Sequence, residues 1–158
     1  MAGLFLTDTN VISLIWCSAL GYKNDIYTEK KASWYESKIE NSAPIISFAT
    51  VGELKRWAIS RKDPQDQKRI SEKLNSFMAE CHIIMPTSEI CGLWAFVAHQ
   101  AAINKQFRIK DSSSSQINDF WIAAAALNLG LTMLTDDSGF DWMADMGLQI
   151  CNFQGANL

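Results

Sequence analysis

Five short apolar runs, separated by longer helix-forming stretches, constrain this 158-residue chain more than any other feature. Leu4–Leu6, Pro44–Phe48, His82–Pro86, Leu131–Leu134 and Leu148–Cys151 read as strands, apolar and bounded by polar or turn residues. Between them the spacing predicts helices over about Asn10–Ala19, Thr28–Glu40, Thr50–Arg61, Pro64–Glu80, Ser88–Asn104 and Ile117–Asn128, with a short helix after Gly139. Thr50-Val51-Gly52-Glu53 matches the S/T-x-x-E capping box, so Thr50 is the expected N-cap of the third helix. Gly130 stands where a C′ glycine belongs, and Pro64 where proline suits a first helical turn. Gly21–Asp25 and the four serines Ser112–Ser115 read as loops. Alternating strands and helices predict an α/β fold: three α/β/α layers, a central, mainly parallel sheet of four to five strands, and one domain over residues 1–158.

Composition narrows the class. Hydrophobic residues make up 48% and charged residues 20%, which suits a globular core and excludes a disordered or fibrous chain. Cys17, Cys81, Cys91 and Cys151 stand far apart without a C-x-x-C pair, and His82 and His99 form no H-x-x-x-H arrangement. The thiols are therefore expected to be free and mostly buried in a reducing cytoplasm, and a zinc site is not expected. The N-terminus lacks the basic region of a signal peptide, and no run approaches the ~18 apolar residues of a membrane span. The net charge of −3 is unevenly spread. From Lys55 to Lys73 seven basic residues face three acidic ones, whereas everything from Asp136 onward is acidic or neutral. Such a basic stretch suits a solvated helix face, or a track for phosphates beside an acidic site.

The acidic residues fall in a pattern. In an open parallel sheet, ligands bind beyond the carboxyl ends of the strands, where strand order reverses. Asp8 follows the first strand, Glu53 lies early in the helix after the second, and Asp136 and Asp137 follow the fourth. Asp119 lies early in the helix that feeds the fourth strand. Taken singly, each has a structural explanation: Asp8 as an N-cap, Glu53 in its capping box, Asp119 facing a helix dipole, Asp136-Asp137 in a turn. Helix caps give no reason for four acids to gather at one sheet edge. Like charges there raise one another's pKa unless a cation neutralises them. Hard oxygens without histidine or thiolate suit Mg²⁺ or Mn²⁺, and that chemistry points to phosphodiester hydrolysis.

The segments LTDTNVISLI, ATVGELKRWA, INDFWIAAAALNLGLTMLTDDSGF and GLQI, in that order, resemble the PIN-domain ribonucleases, most closely the VapC-type toxins of toxin–antitoxin pairs. The resemblance spans nearly the whole chain. It implies a PIN-like domain in which Asp8, Glu53, Asp119 and Asp137 are catalytic, with Asp8, Asp119 and Asp137 as metal ligands. Asn10, Thr135 and Asp136 would support them. It further implies an endoribonuclease dependent on Mg²⁺ or Mn²⁺, acting on structured RNA such as tRNA or rRNA, commonly dimeric and neutralised by a cognate antitoxin. Lys55, Arg56, Trp57 and Arg61 are the candidate RNA contacts. This chain departs from the pattern at the Ser112–Ser115 loop, at Trp57 in place of a small residue, at Asp136 in place of a basic or amide residue, and in extra length around residues 18–30.

Two other enzyme and signalling classes fit poorly. An aspartyl-phosphate hydrolase wants an acid two residues after Asp8, where Asn10 stands, and a lysine near the later acids, where none follows Lys110. A receiver domain wants a carboxylate pair on the first strand and a lysine after the fifth. The remaining alternative is a catalytically weak acidic-pocket domain that binds nucleic acid or a protein partner.

Overall fold

The short apolar runs do form strands, and each hands over directly to a helix. The computed structural model describes residues 4–22, 25–40, 43–104 and 114–153. The strands are β1 (Phe5–Thr7), β2 (Ile45–Ser47), β3 (His82–Ile84), β4 (Thr132–Leu134) and β5 (Ile150–Cys151). The helices are α1 (Thr9–Ala19), α2 (Ile26–Ile39), α3 (Phe48–Ile59), α4 (Pro64–Glu80), α5 (Ser88–Ile103) and α6 (Ser114–Leu129), with a 3-10 helix over Ser138–Met146. Every strand pairing is parallel, in the order β3-β2-β1-β4-β5. The chain steps outward from β1 to β2 and β3, then crosses back to lay β4 on the other side of β1. The β1/β4 boundary is therefore the point where strand order reverses.

Side chains alternate across the strands, and the two faces of the sheet carry separate cores. Leu6 and Met133 pack with Val97 and Ala101 of α5, Ala123–Ala126 of α6, and Phe140 and Met143 of the 3-10 helix. Ile46 and Leu134 face the other way, onto Val11, Ile12 and Ile15 of α1, Tyr35 of α2, Leu54 of α3 and Leu74 of α4. This is the expected three-layer α/β/α arrangement, with a fully parallel five-stranded sheet. Helix α6 carries four consecutive buried alanines, and these small side chains let it lie close to its neighbours. Gly130 has φ +62°, the left-handed geometry foreseen for a C′ glycine.

Three expectations change. Helix α3 begins at Phe48, and its N-cap is Ser47, whose side chain accepts from the Ala49 N–H at 3.2 Å. The capping box is thus not formed by Thr50, and β2 ends before Phe48. Strand β2 stops as soon as a better cap than Thr50 is reached, and Glu53 is left in the second turn, free of capping. Of the four serines read as a loop, Ser112 and Ser113 lie outside the described residues, while Ser114 and Ser115 open α6. None of the four cysteines forms a disulfide among the described residues, and they are less buried than expected: Cys17, Cys81 and Cys151 are partly exposed and Cys91 is exposed. Among the described residues no helix is long and apolar enough to cross a membrane.

Candidate active site

Register builds the site. Because Thr7 lies opposite Leu134 in the β1/β4 pair, the residues that follow, Asp8 and Thr135, leave the sheet side by side. The Asp8 N–H donates to the Leu134 carbonyl at 3.0 Å, extending the ladder by one step. The Asp8 carboxylate is buried; one oxygen accepts from the Thr9 N–H at 2.7 Å and the other from the Thr135 hydroxyl at 2.8 Å. Asp8 therefore is the N-cap of α1, as its residue type suggests, and also faces the cleft beyond the sheet.

Thr135 is the hub beneath the acids. Its oxygen accepts from Asn10 Nδ2 at 3.3 Å and from the Asp137 N–H at 3.1 Å while its proton goes to Asp8. Asn10 also accepts the Asp136 N–H at 3.1 Å. Asp137 caps the 3-10 helix by accepting from the Gly139 N–H at 2.8 Å. Glu53 reaches across from α3: one oxygen accepts from the Thr9 hydroxyl and the other from Asn118 Nδ2 at 3.0 Å. Asp119, one residue along α6, accepts no hydrogen bond among the described residues.

Asp8, Glu53, Asp119 and Asp137 line one cleft of about 420 Å³, together with Thr9, Asn10, Ser13, Arg56, Trp57 and Ser60. Among these lining residues Arg56 is the one cation against four carboxylates. The charge imbalance shows in the acids themselves. Burial pushes the Asp8 carboxyl up to about 7, against the lowering effect of the Thr135 and Thr9 hydrogen bonds, with Glu53 and Asp137 adding repulsion. Asp119 is pushed up to about 8 by burial first and then by the charges of Asp8, Glu53 and Asp137. Among the described residues no three histidine, cysteine or carboxylate side chains already form a tight cation cage. The four carboxylates share the cleft without being drawn together. As a donor set, all-oxygen and partly desolvated, they fit a hard divalent cation, whose charge relieves the repulsion that raises Asp8 and Asp119.

The remaining candidates are placed as follows. Asn10 and Trp57 border the cleft; Thr135 lies under it. Trp57 is half-buried and packs on Trp16 with ring centroids 6.1 Å apart. Asp136 is turned away, paired with Lys31 at 2.8 Å and hydrogen-bonded by Tyr35 at 2.9 Å. Lys55 is exposed on α3 and does not line the cleft. Arg61 lies over the Tyr22 ring at 5.0 Å and borders an adjacent cavity with Lys62, Asp63 and Asp66. Ser60 borders both cavities. Thr9 and Asn118, which hold Glu53, and Lys31 and Tyr35, which hold Asp136, were not singled out from the sequence. Thr9 and Asn118 each adjoin a candidate acid inside the segments that carry the family resemblance, which is the signal that could have marked them.

The family model described as PIN domain matches residues 5–145. The chain belongs to the PIN-domain family. Solved structures with the same fold include FitAcB from Neisseria gonorrhoeae, 22% identical, with a TM-score of 0.71 over 94% of this chain and 96% of that one. VapBC2 from Rickettsia felis, bound to a DNA fragment from its promoter, is 18% identical with a TM-score of 0.65 over 94% and 98%. VapBC-5 from Mycobacterium tuberculosis, a member of the VapBC family of toxin–antitoxin systems, is 18% identical with a TM-score of 0.63 over 96% and 99%. No curated protein matches the sequence. The acids gathered in this PIN domain lie at the carboxyl ends of β1 and β4, in the second turn of α3 and near the start of α6.

Proposed function

We propose that this PIN domain, taken as a single domain over residues 1–158, is a metal-dependent endoribonuclease of the VapC toxin type. The observation that carries the reading is the convergence of Asp8, Glu53, Asp119 and Asp137 on one cleft at the β1/β4 reversal point. Asp8, Asp119 and Asp137 are assigned as ligands of Mg²⁺ or Mn²⁺. Such a cation would supply Lewis acidity, binding phosphate oxygens and making water acidic enough to attack phosphorus at neutral pH.

The chain's own residues divide the remaining work. Thr135 and the Thr9 N–H fix both oxygens of Asp8, so that carboxylate has one orientation. Asn10 and Thr135 together fix the backbone that presents Asp137. Glu53, held by Thr9 and Asn118, lies across the cleft as ligand or general base. Arg56 and Trp57 on the α3 wall offer a cation and an aromatic edge to the RNA strand. Lys55, one residue before Arg56 on the same helix, and Arg61, just past the helix end, extend the basic surface.

Structured RNA, tRNA or rRNA, is the assigned substrate. The likeness to VapBC complexes supports a cognate antitoxin as partner. A homodimer is supported by the exposed Phe96 and Ile103 on the outer face of α5, where Glu89 is the one charged residue. The test is incubation of total cellular RNA with purified protein, with and without Mg²⁺ or Mn²⁺, beside Asp119→Asn. Discrete fragments that need the metal and vanish in the variant are expected. Identical behaviour of folded wild type and variant would instead make the cleft a binding site without turnover.

A further inference from the structure

We propose that Lys31 and Tyr35 of α2 are positioning residues for the cleft, acting through Asp136 on the segment that presents Thr135 and Asp137. The inference rests on the metal reading above and assigns a role that the four carboxylates do not cover.

Tyr35 is fully buried, yet it is not a plain core aromatic. Its hydroxyl lies 3.0 Å from the Thr135 carbonyl and 2.9 Å from Asp136 Oδ1, both acceptors, and itself accepts the Phe153 N–H at 3.0 Å. Phenylalanine would fill the same volume; only the hydroxyl serves these three partners. One turn earlier on the same helix face, Lys31 Nζ lies 2.8 Å from Asp136 Oδ2, with the two side chains 15% and 23% exposed. The Asp136 N–H is taken by Asn10 Oδ1 at 3.1 Å. Residue 136 is thus held by its backbone from α1 and by both carboxylate oxygens from α2.

Its neighbours are the groups whose placement matters. Thr135 donates to Asp8, and the Asp137 N–H returns to Thr135. A shift of residue 136 therefore moves two candidate ligands at once. There is also a question of charge. Two consecutive aspartates leave β4, but only Asp137 lines the cleft. By pairing with Asp136, Lys31 keeps a fifth carboxylate turned away from four that already repel one another. Groups that orient metal ligands from outside the coordination shell commonly change metal affinity by about 10–100-fold when removed.

The two possible effects of Lys31 have opposite signs, which makes the test decisive. Removing a cation near an acidic site tightens divalent metal binding if only long-range electrostatics operates. Loss of positioning weakens it. Mn²⁺ alone is titrated by calorimetry into metal-free wild type, Lys31→Met, Lys31→Arg, Tyr35→Phe and Asp119→Asn, with thermal melts to confirm folding. Lys31→Met is expected to weaken Mn²⁺ binding about tenfold, and Lys31→Arg to restore it to near wild type. Tyr35→Phe is expected to shift affinity in the same direction; should it fail to fold, the part-exposed Lys31 still decides. Unchanged or tighter binding by folded Lys31→Met overturns the inference while leaving the metal site intact. Wild type that takes up no Mn²⁺ overturns the metal reading, and this inference with it.

Discussion

Asp119 is the residue at which the proposed metal site and the stability of the metal-free fold pull hardest against each other. It lies in the cleft with no hydrogen-bond donor among the described residues, beside three other carboxylates, and is pushed up to about 8. Asp119→Asn removes one of the repelling charges. In metal-free protein at pH 9 it is expected to raise the melting temperature by about 2–4 °C, the shift that about 1 kcal/mol produces at this length. Solvent screening at a partly exposed site keeps the effect to that order. A helix-dipole role for Asp119 gives the opposite sign, a small loss. Thr135 makes the complementary case. It is fully buried, and Thr135→Val conserves shape while leaving Asp8, Asn10 and the Asp137 N–H each short of a partner. A loss of about 1–3 kcal/mol is expected in urea unfolding, with an unchanged m-value.

At the scale of the element, α3 decides where Glu53 stands. The sequence pattern favours Thr50 as the cap, but Ser47 takes that place and Thr50 is buried with its hydroxyl unpartnered among the described residues. Ser47→Ala is expected to cost about 1 kcal/mol. Thr50→Val, isosteric and without the orphan hydroxyl, is expected to be neutral or stabilising by up to about 1 kcal/mol. If Thr50 were the cap, the two results would exchange places in a denaturation series. The error is instructive. A capping-box Glu and a cleft-lining Glu share one spelling, and only the end of β2 tells them apart. Elsewhere local signals were sufficient: Asp8 before α1, Asp63-Pro64 before α4 and Gly130 after α6 all act where the residue types indicate. Contacts that join distant segments were not legible. Glu53 meets Thr9 across 44 residues and Asn118 across 65, and Lys31 meets Asp136 across 105. No periodicity encodes such pairs, because they follow from strand order, which the residues of one strand do not specify.

For the molecule as a whole, the sheet order β3-β2-β1-β4-β5 turns scattered acids into one cleft. That Asp8 and Asp137 would line a cleft was legible because each follows a strand of a parallel sheet, and Asp119 because it lies near the start of the helix that feeds β4; Asp136 also follows β4 but is claimed by α2. Gathering these charges makes stability depend on pH. Asp8 and Asp119 titrate higher in the folded protein, at about 7 and about 8, than in the unfolded chain, near ~4. The folded state therefore binds more protons across that interval. The stability these groups contribute is whole below about pH 4 and is lost as pH rises through their folded values. Through these two groups, metal-free protein is expected to melt at lower temperature at pH 8 than at pH 6. Saturating Mn²⁺ competes with the same protons, so the rise in melting temperature it brings should be larger at pH 8 than at pH 6. A rise that is equal at both values, or larger at pH 6, would separate the metal from these carboxylates.

The most direct measurement is the chemistry of the ends left on a single defined RNA after cleavage with Mn²⁺. The described lining of the cleft offers carboxylates and one arginine but no histidine to deprotonate the ribose 2′-hydroxyl. Attack by water is the chemistry such a site supports. Fragments without 2′,3′-cyclic phosphate are expected, produced only with divalent metal and absent with Asp119→Asn. Cyclic phosphate ends, or cleavage that persists in chelator, would contradict it.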